Sequence, residues 1–363
     1  MAARLMEAEV TEVVEAYTEA LAEQRRTTSD PGGLLTLGIE TSCDETSVAV
    51  LRGGHDVLAN VITSSADLHN QYGGVVPEIA SREQVQAINP ALAEALTRAD
   101  LTFWDISVVA VTVGPGLVGS LVVGVAAAKA LASVLEVPLV SVNHLEGHLY
   151  SNLIENPDAG IPAMGLIVSG GHSLLVKIFD HGIYEIVGQT LDDAAGEAFD
   201  KVARYLGLGF PGGPAIEEAA RDGDPAAVAF PRALLGDSYD FSFSGLKTAV
   251  MNYVRKQGDS ANISDVAASF QEAVVDVLVR KTVRAAVDNA IPTVMLSGGV
   301  AANTRLRDEL SRACHEAELT LYYPSMQFCT DNGAMVACCG YHRYRRGIRT
   351  ALDVRPDPNL PLA

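Results

Sequence analysis

With 363 residues, 48% of them hydrophobic and 32 glycines, the chain exceeds one comfortable core and is expected to form two domains of a packed α/β protein. A net charge of −19 excludes a broad nonspecific nucleic-acid surface, though not a local basic patch. The cysteines (Cys43, Cys314, Cys329, Cys338 and Cys339) form no regular framework and point to a reducing, cytoplasmic setting; no stretch reads as a membrane span, and residues 1–26 lack the apolar core of a secretion signal.

In chain order, Met6, Val10, Val13, Val14, Tyr17 and Leu21 recur at helical spacing, so 1–26 reads as a separate amphipathic helix, with a linker over 27–33. Residues 38–50 then read as strand, tight polar loop, strand. A loop dense in Thr, Ser and Asp can offer N–H groups and hydroxyls to phosphate oxygens and hold carboxylates near a metal or reacting centre. On this stretch alone, an ordinary hairpin with a polar turn serves equally well. A third strand follows at 57–63. Pro77 suits the start of a helix reaching about Arg98; Glu78 and Arg82 on it could shape a substrate mouth or form a surface ion pair. Residues 106–113 read as a buried strand, 119–135 as a helix of small residues, and 138–142 as a strand.

That strand delivers His144 and His148. If a helix begins there, the two rings lie one turn apart on one face, which is metal-ligand spacing, with a pair of hydrogen-bonded structural histidines as the alternative. Glu146 would point roughly 160° away by the helical period, unlike the acid of a zinc protease. A carboxylate should complete the site, and Asp331, at a strand-to-helix turn, offers one. Two imidazoles and a carboxylate suit iron(II), and zinc or manganese less clearly.

The second half opens with strands at 164–168, 173–179 and 184–187. Gly170-Gly171 and Gly298-Gly299 each follow an apolar strand, where missing Cβ atoms let a nucleotide approach the backbone. Two such loops and a matching polar hairpin in the first half suggest a duplicated unit with a nucleotide between copies. Residues 192–201 read as a helix with an acidic first turn. Asp193, Glu197 and Asp200 would share one face, as a solvated stripe or as a ribose or metal-water contact. The glycine-rich stretch 207–214 should wrap a ligand, with Glu217 just inside the next helix. Lys247 could meet a phosphate or merely a surface acid. A helix over 264–288, strands at 293–296 and 319–323, and a helix from Asn332 to about Arg346 complete the chain, the last returning it to the first domain. The arginines of 341–349 suit an RNA contact or a helix C-terminus equally, and the proline-rich tail from Asp353 should be loosely ordered.

Taken together, segments 38–46, 72–82, 143–148, 168–172, 192–201, 211–214, 241–247, 297–303 and 330–334 resemble the tRNA N6-adenosine threonylcarbamoyltransferase family, formerly called glycoproteases. The match runs in family order over about residues 35–350. The resemblance implies an α/β, two-lobed actin-like ATPase fold (that of sugar kinases and heat-shock ATPases) with duplicated βββαβα cores. The expected lobes are 34–150, rejoined by about 332–350, and 151–331, with a tail at 351–363. It further implies transfer of threonylcarbamoyl from threonylcarbamoyl-adenylate to N6 of adenosine 37 in tRNAs reading codons that begin with A, releasing AMP. Carried over by motif, the metal ligands are His144, His148 and Asp331, with iron the usual ion. The adenylate contacts are Ile167, Val168, Ser169, Gly170, Gly171, Asp200, Gly213, Glu217 and Asn303, and Asp44 is the acidic residue tied to activity. The implied partners are tRNA, an inactive paralogue and a P-loop ATPase. Three departures stand out: Gln84 replaces a common His, Glu217 replaces a common Asp, and 1–33 has no counterpart. The rivals are a metal-dependent peptidase and a non-catalytic nucleotide-binding partner.

Overall fold

The computed structural model describes residues 33–65, 68, 69, 72, 74–233 and 236–362. The expected N-terminal helix and nearly all of its linker lie outside them. The first sheet begins with an antiparallel meander, β1 (Leu35–Glu40), β2 (Glu45–Arg52) and β3 (Asp56–Ser64). Helix α1 (Pro77–Ala99) leads to β4 (Val108–Gly114), and α2 (Val118–Leu135) to β5 (Leu139–Asn143); β4 pairs in parallel with both β1 and β5. The sheet order is β3-β2-β1-β4-β5.

The second half repeats this plan. Strands β6 (Ala163–Val168), β7 (Ser173–Asp180) and β8 (Ile183–Gln189) form the meander. Then β9 (Thr293–Ser297) and β10 (Thr320–Tyr322) pair in parallel, giving the order β10-β9-β6-β7-β8. The larger insertion between β8 and β9 holds α4 (Ala195–Leu206), α5 (Gly212–Ala220), α6 (Ser244–Gln257) and α7 (Ile263–Asp288); α8 (Thr304–Glu316) joins β9 to β10. Consecutive residues of β1 and β2 are buried, so both faces of these strands are covered, as a helix-flanked sheet requires.

The helix that follows the last strand of each unit crosses to the other. Helix α3 (His144–Glu155) follows β5 but packs on β6 and β9. Helix α9 (Gly333–Arg345) follows β10 but packs on β1, β2 and β4, and against α3. Each has an asparagine cap: Asn143 accepts from the Leu145 and Glu146 N–H groups, and Asn332 from Met335. The two helices share an apolar core between the lobes, including Leu145, Leu149, Met335 and Val336. A Cβ on Gly333 would come within 2.6 Å of the Ala49 nitrogen, so the start of α9 is seated directly on the first sheet.

Four expectations change. The acidic helix begins at Ala195, leaving Asp192 and Asp193 in the turn before it. No ion pair joins Glu78 and Arg82 among the described residues. The tail is docked: the Asp357 N–H reaches the Val113 carbonyl at 2.8 Å, Gly116 donates to Pro358, and Asn143 donates to Pro361. Three prolines suggested looseness because they donate nothing, but their carbonyls still accept. Finally, Val118–Leu135 is long and apolar enough to cross a membrane; here it lies against α1 and β4, which accounts for its small residues.

Candidate metal centre and cleft

Because α3 starts immediately after β5, His144 is its first residue and His148 follows one turn later, with the ring centroids 4.6 Å apart. The loop before α9 brings Asp331 to both: Oδ1 lies 3.7 Å from His144 Nε2 and 3.2 Å from His148 Nε2. One donor atom from each of the three side chains falls within 4.8 Å of the others. Both ligand-bearing segments lie where a crossing helix leaves the last strand of its repeat, the histidines on α3 and Asp331 just ahead of α9.

The cluster fits a divalent ion. His148 is fully buried, yet neither of its ring nitrogens is hydrogen-bonded; Nε2 has only the 3.2 Å charge contact with Asp331. Buried polar atoms without partners are rare and costly, and a metal would satisfy this one. His144 is oriented from behind. Its Nδ1 is 3.0 Å from Ser42 Oγ and 3.3 Å from Glu40 Oε2, which turns Nε2 toward Asp331. Glu40 is fully buried at the end of β1 and accepts from the Ser42 N–H and the Thr112 hydroxyl, both at 2.6 Å. Nothing local in the sequence marks this role for Glu40, because Thr112 and His144, the partners that define it, are 72 and 104 residues away.

Charge coupling is strong. Burial works against ionised Asp331, but His144 and His148 outweigh it and hold the carboxyl down to about 2. Burial likewise opposes the His144 imidazolium, but Asp331 and Glu40 lift it to about 9. His172 is pushed down to about 4, first by burial and then by the two neighbouring imidazoles. Glu45 is raised well above the carboxylate range by burial, Asp331 and Asp44.

Beside the cluster opens a cleft of about 570 Å³. The first lobe contributes Ser42, Cys43, Asp44 and Glu45, and the second Ser169, Gly170, Gly171, His172, Asp200 and Gly299; His144 and Asp331 lie at the junction. Of the expected residues, Asp44, Ser169, Gly170, Gly171 and Asp200 therefore share one cavity with two of the three cluster members. Ile167 and Val168 end β6 with fully buried side chains and do not line it. Gly213, Glu217 and Asn303 also lie outside the lining. Glu217 accepts from the Thr304 N–H at 3.0 Å and from the Asn303 amide at 3.4 Å, while Asn303 caps α8 through Leu306. His172 joins the site without having been singled out; its place directly after Gly170-Gly171 was the available signal.

The acidic turn does other work. Asp193 takes Lys201 at 2.7 Å and Lys247 at 2.6 Å, so Lys247 meets an acid here. Asp192 accepts from Ser242 Oγ at 2.6 Å and from the Phe243 and Ser244 N–H groups, capping α6. Glu146 turns away from the cluster, as its position on the helix required. It accepts from Arg343 at 2.7 Å and from the Tyr184 hydroxyl at 2.9 Å. Arg349 stacks 3.5 Å from the Tyr344 ring, and Arg346 is 3.6 Å from Asp180, so much of the basic stretch is engaged internally.

A profile described as tRNA N6-adenosine threonylcarbamoyltransferase matches residues 56–338. Relatives of that name are 54% identical in Desulfitobacterium hafniense (90% of this chain, 97% of the relative) and 54% in Symbiobacterium thermophilum (90% and 97%). A third, from Clostridioides difficile, is 50% identical over 91% of this chain and 98% of its own. The chain belongs to the tRNA N6-adenosine threonylcarbamoyltransferase family. Distant solved structures share its architecture. A full-length HypF in a phosphate- and nucleotide-bound form aligns at TM-score 0.58 and 14% identity over 86% of this chain and 46% of that one. Component A of the (R)-2-hydroxyglutaryl-CoA dehydratase of Acidaminococcus fermentans aligns at 0.53 and 14% identity, over 86% and 100%. The two repeated sheets and these likenesses give the two-lobed actin-like ATPase fold that the motifs implied.

Proposed function

We propose that this chain transfers the threonylcarbamoyl group of threonylcarbamoyl-adenylate to N6 of adenosine 37 in tRNAs reading codons that begin with A. Supporting the reading is one juxtaposition: a His-His-Asp cluster opening onto a cleft with the Asp44 turn on one wall and the Gly170-Gly171 backbone beside Asp200 on the other, in a chain of this family. We take the lobes as 34–150 with 332–350, and 151–331.

His144, His148 and Asp331 would hold one divalent ion, for which we propose iron, with zinc and manganese compatible with the same donors. When bound, the ion supplies Lewis acidity toward carbonyl and phosphate oxygens. The remaining chemistry falls to the chain. Gly170 and Gly171 have no atom within 4 Å of a would-be Cβ, which leaves room for the adenylate beside Ser169 and Asp200. Gly213, Glu217 and Asn303, which lie outside the cleft lining, and the end of β6 at Ile167 and Val168 would extend the adenylate's surroundings only beyond the cavity itself. As the bond from N6 to the carbamoyl carbon forms, the bond from that carbon to the phosphate oxygen breaks and AMP leaves with the electron pair. Asp44 accepts the proton released from N6. Adenosine N6 is a weak nucleophile, so placement of the tRNA supplies much of the acceleration.

An inactive paralogue and a P-loop ATPase are the proposed partners, and the cytoplasm the proposed site of action, consistent with five free cysteines. The zinc-protease arrangement would place the base on the histidine helix itself, and there Glu146 is committed to Arg343 and Tyr184. Mass analysis of tRNA nucleosides tests the function: the full chain, given adenylate donor, unmodified tRNA and both partner proteins, should produce threonylcarbamoyladenosine. Peptide cleavage with unmodified tRNA would overturn it.

A further inference from the structure

The turn that carries Asp44 is tied down by one buried amide from α1. Gln84 is fully buried, and its Nε2 lies 3.0 Å from the Cys43 carbonyl, 3.0 Å from the Glu45 carbonyl and 3.5 Å from the Thr41 carbonyl. Carbonyl oxygens only accept, so the nitrogen must face them and the orientation of the amide is fixed by its surroundings. The two short contacts fall on the residues immediately before and after Asp44. Asp44's own carbonyl is taken by Ser65, whose hydroxyl is 2.8 Å away and touches His69 Nε2 at 3.1 Å. From α2, Ser120 Oγ reaches the Cys43 carbonyl at 3.0 Å. Ser65 and Ser120 each hold one carbonyl of the turn, whereas Gln84 bridges both flanks of Asp44.

We propose that Gln84 is a positioning residue whose side-chain amide fixes the 41–45 turn and thereby aims the Asp44 carboxylate into the cleft. The proposal rests on the reading of Asp44 as proton acceptor and deepens it. Gln84 touches neither ion nor substrate; its nitrogen sets the backbone on which the acceptor rides. An error of about 1 Å in such a group costs about 100-fold in rate. Gln84→Glu keeps the length of the side chain but aims an oxygen at carbonyl oxygens, so the turn must shift. Gln84→His retains a single N–H donor and should recover part of the function.

The test is a cycle of Asp44→Ala, Gln84→Glu and the double variant, each as the full chain with metal, adenylate, tRNA and both partners. Gln84→Glu should lower kcat by about 10- to 100-fold. Its adenylate affinity, set by the second lobe, should change less than about twofold, and Gln84→His should fall between wild type and Gln84→Glu. In the Asp44→Ala background, Gln84→Glu should cost nothing further, because the group it aims is gone. A melting temperature recorded for each variant checks the fold; if Gln84→Glu unfolds, Gln84→Met, similar in length and without a donor, takes its place in the cycle. Independent, multiplicative losses in the double variant, with Asp44→Ala itself impaired, overturn the proposal alone. Full activity of Asp44→Ala overturns the reading of Asp44 and the proposal with it.

Discussion

The cleft has two walls of opposite construction. On the first lobe, the 41–45 turn is pinned by Gln84, Ser65, Ser120 and the Leu117 N–H, and it carries ionisable groups. On the second lobe, Gly170, Gly171 and Gly299 present backbone with nothing within 4 Å of a would-be Cβ. The first wall holds its carboxylates on one pinned turn, and the second sets its charged groups, Asp200 among them, around open glycine backbone that leaves room for a large planar ligand. Changes on the first wall should therefore act on kcat, and changes on the second on adenylate affinity.

The largest effect belongs where the walls meet. His148→Ala removes a donor whose burial leaves it no other partner, so the metal should be lost and transfer should fall by more than about 100-fold, beyond what an outer-sphere change costs. Elemental analysis alongside the transfer assay checks this. Next comes Asp44→Asn, expected to lower kcat by about 100- to 10,000-fold with adenylate affinity nearly unchanged. Equal losses in kcat and affinity would erase the distinction between the walls.

Gly171→Val should do the reverse, weakening adenylate binding about tenfold or more while leaving the melting temperature near wild type, because the space is open. Calorimetric titration with a stable adenylate analogue measures it. Gly298, one residue before Gly299, is a contrast within the same wall. Its φ is 91° and a Cβ would collide with the Val168 carbonyl, so Gly298→Ala should cost about 1–3 kcal/mol of stability, read by denaturant unfolding.

The smallest effect concerns the lobe junction away from the cleft. His181 and His342 stack with centroids 4.3 Å apart beside Tyr150, whose hydroxyl is 3.0 Å from His181 Nδ1. Burial lowers both imidazoles, and His181 and Arg345 help bring His342 to about 4. Below the ordinary value of 6.5 the unfolded chain takes up protons at these rings and the folded chain does not. The His342 contribution is thus complete above pH 6.5 and is lost as the pH falls toward 4, and that of His181 changes in the same direction. Thermal midpoints at pH 7 and pH 5 should differ more in wild type than in His342→Gln.

The sequence made local features legible. Alternation and glycine turns located the strands of both repeats, and the four-residue step from His144 to His148 placed both rings on one face. Glu40 escaped because Thr112 and His144, the partners that reveal its role, are remote in sequence, and its local bond to the Ser42 N–H marks only a turn. Asp192 and Asp193 were misplaced onto α4 since an acidic helix start and an acidic turn look alike; lysines from two helices and the 241–247 loop decided between them. The docked tail was illegible for a related reason, because its hydrogen bonds go to β4, the turn after it and Asn143. Gln84 looked like the absence of a histidine; its environment makes it a donor to three carbonyls.

The account depends on one ion held jointly by the first turn of α3 and the loop that enters α9. Its most direct test is elemental analysis of the purified full chain beside Asp331→Ala, each checked for native melting. One equivalent of a divalent transition metal in the wild type and almost none in the variant is the predicted result. The same metal content in both, or none in an active wild-type enzyme, would contradict it.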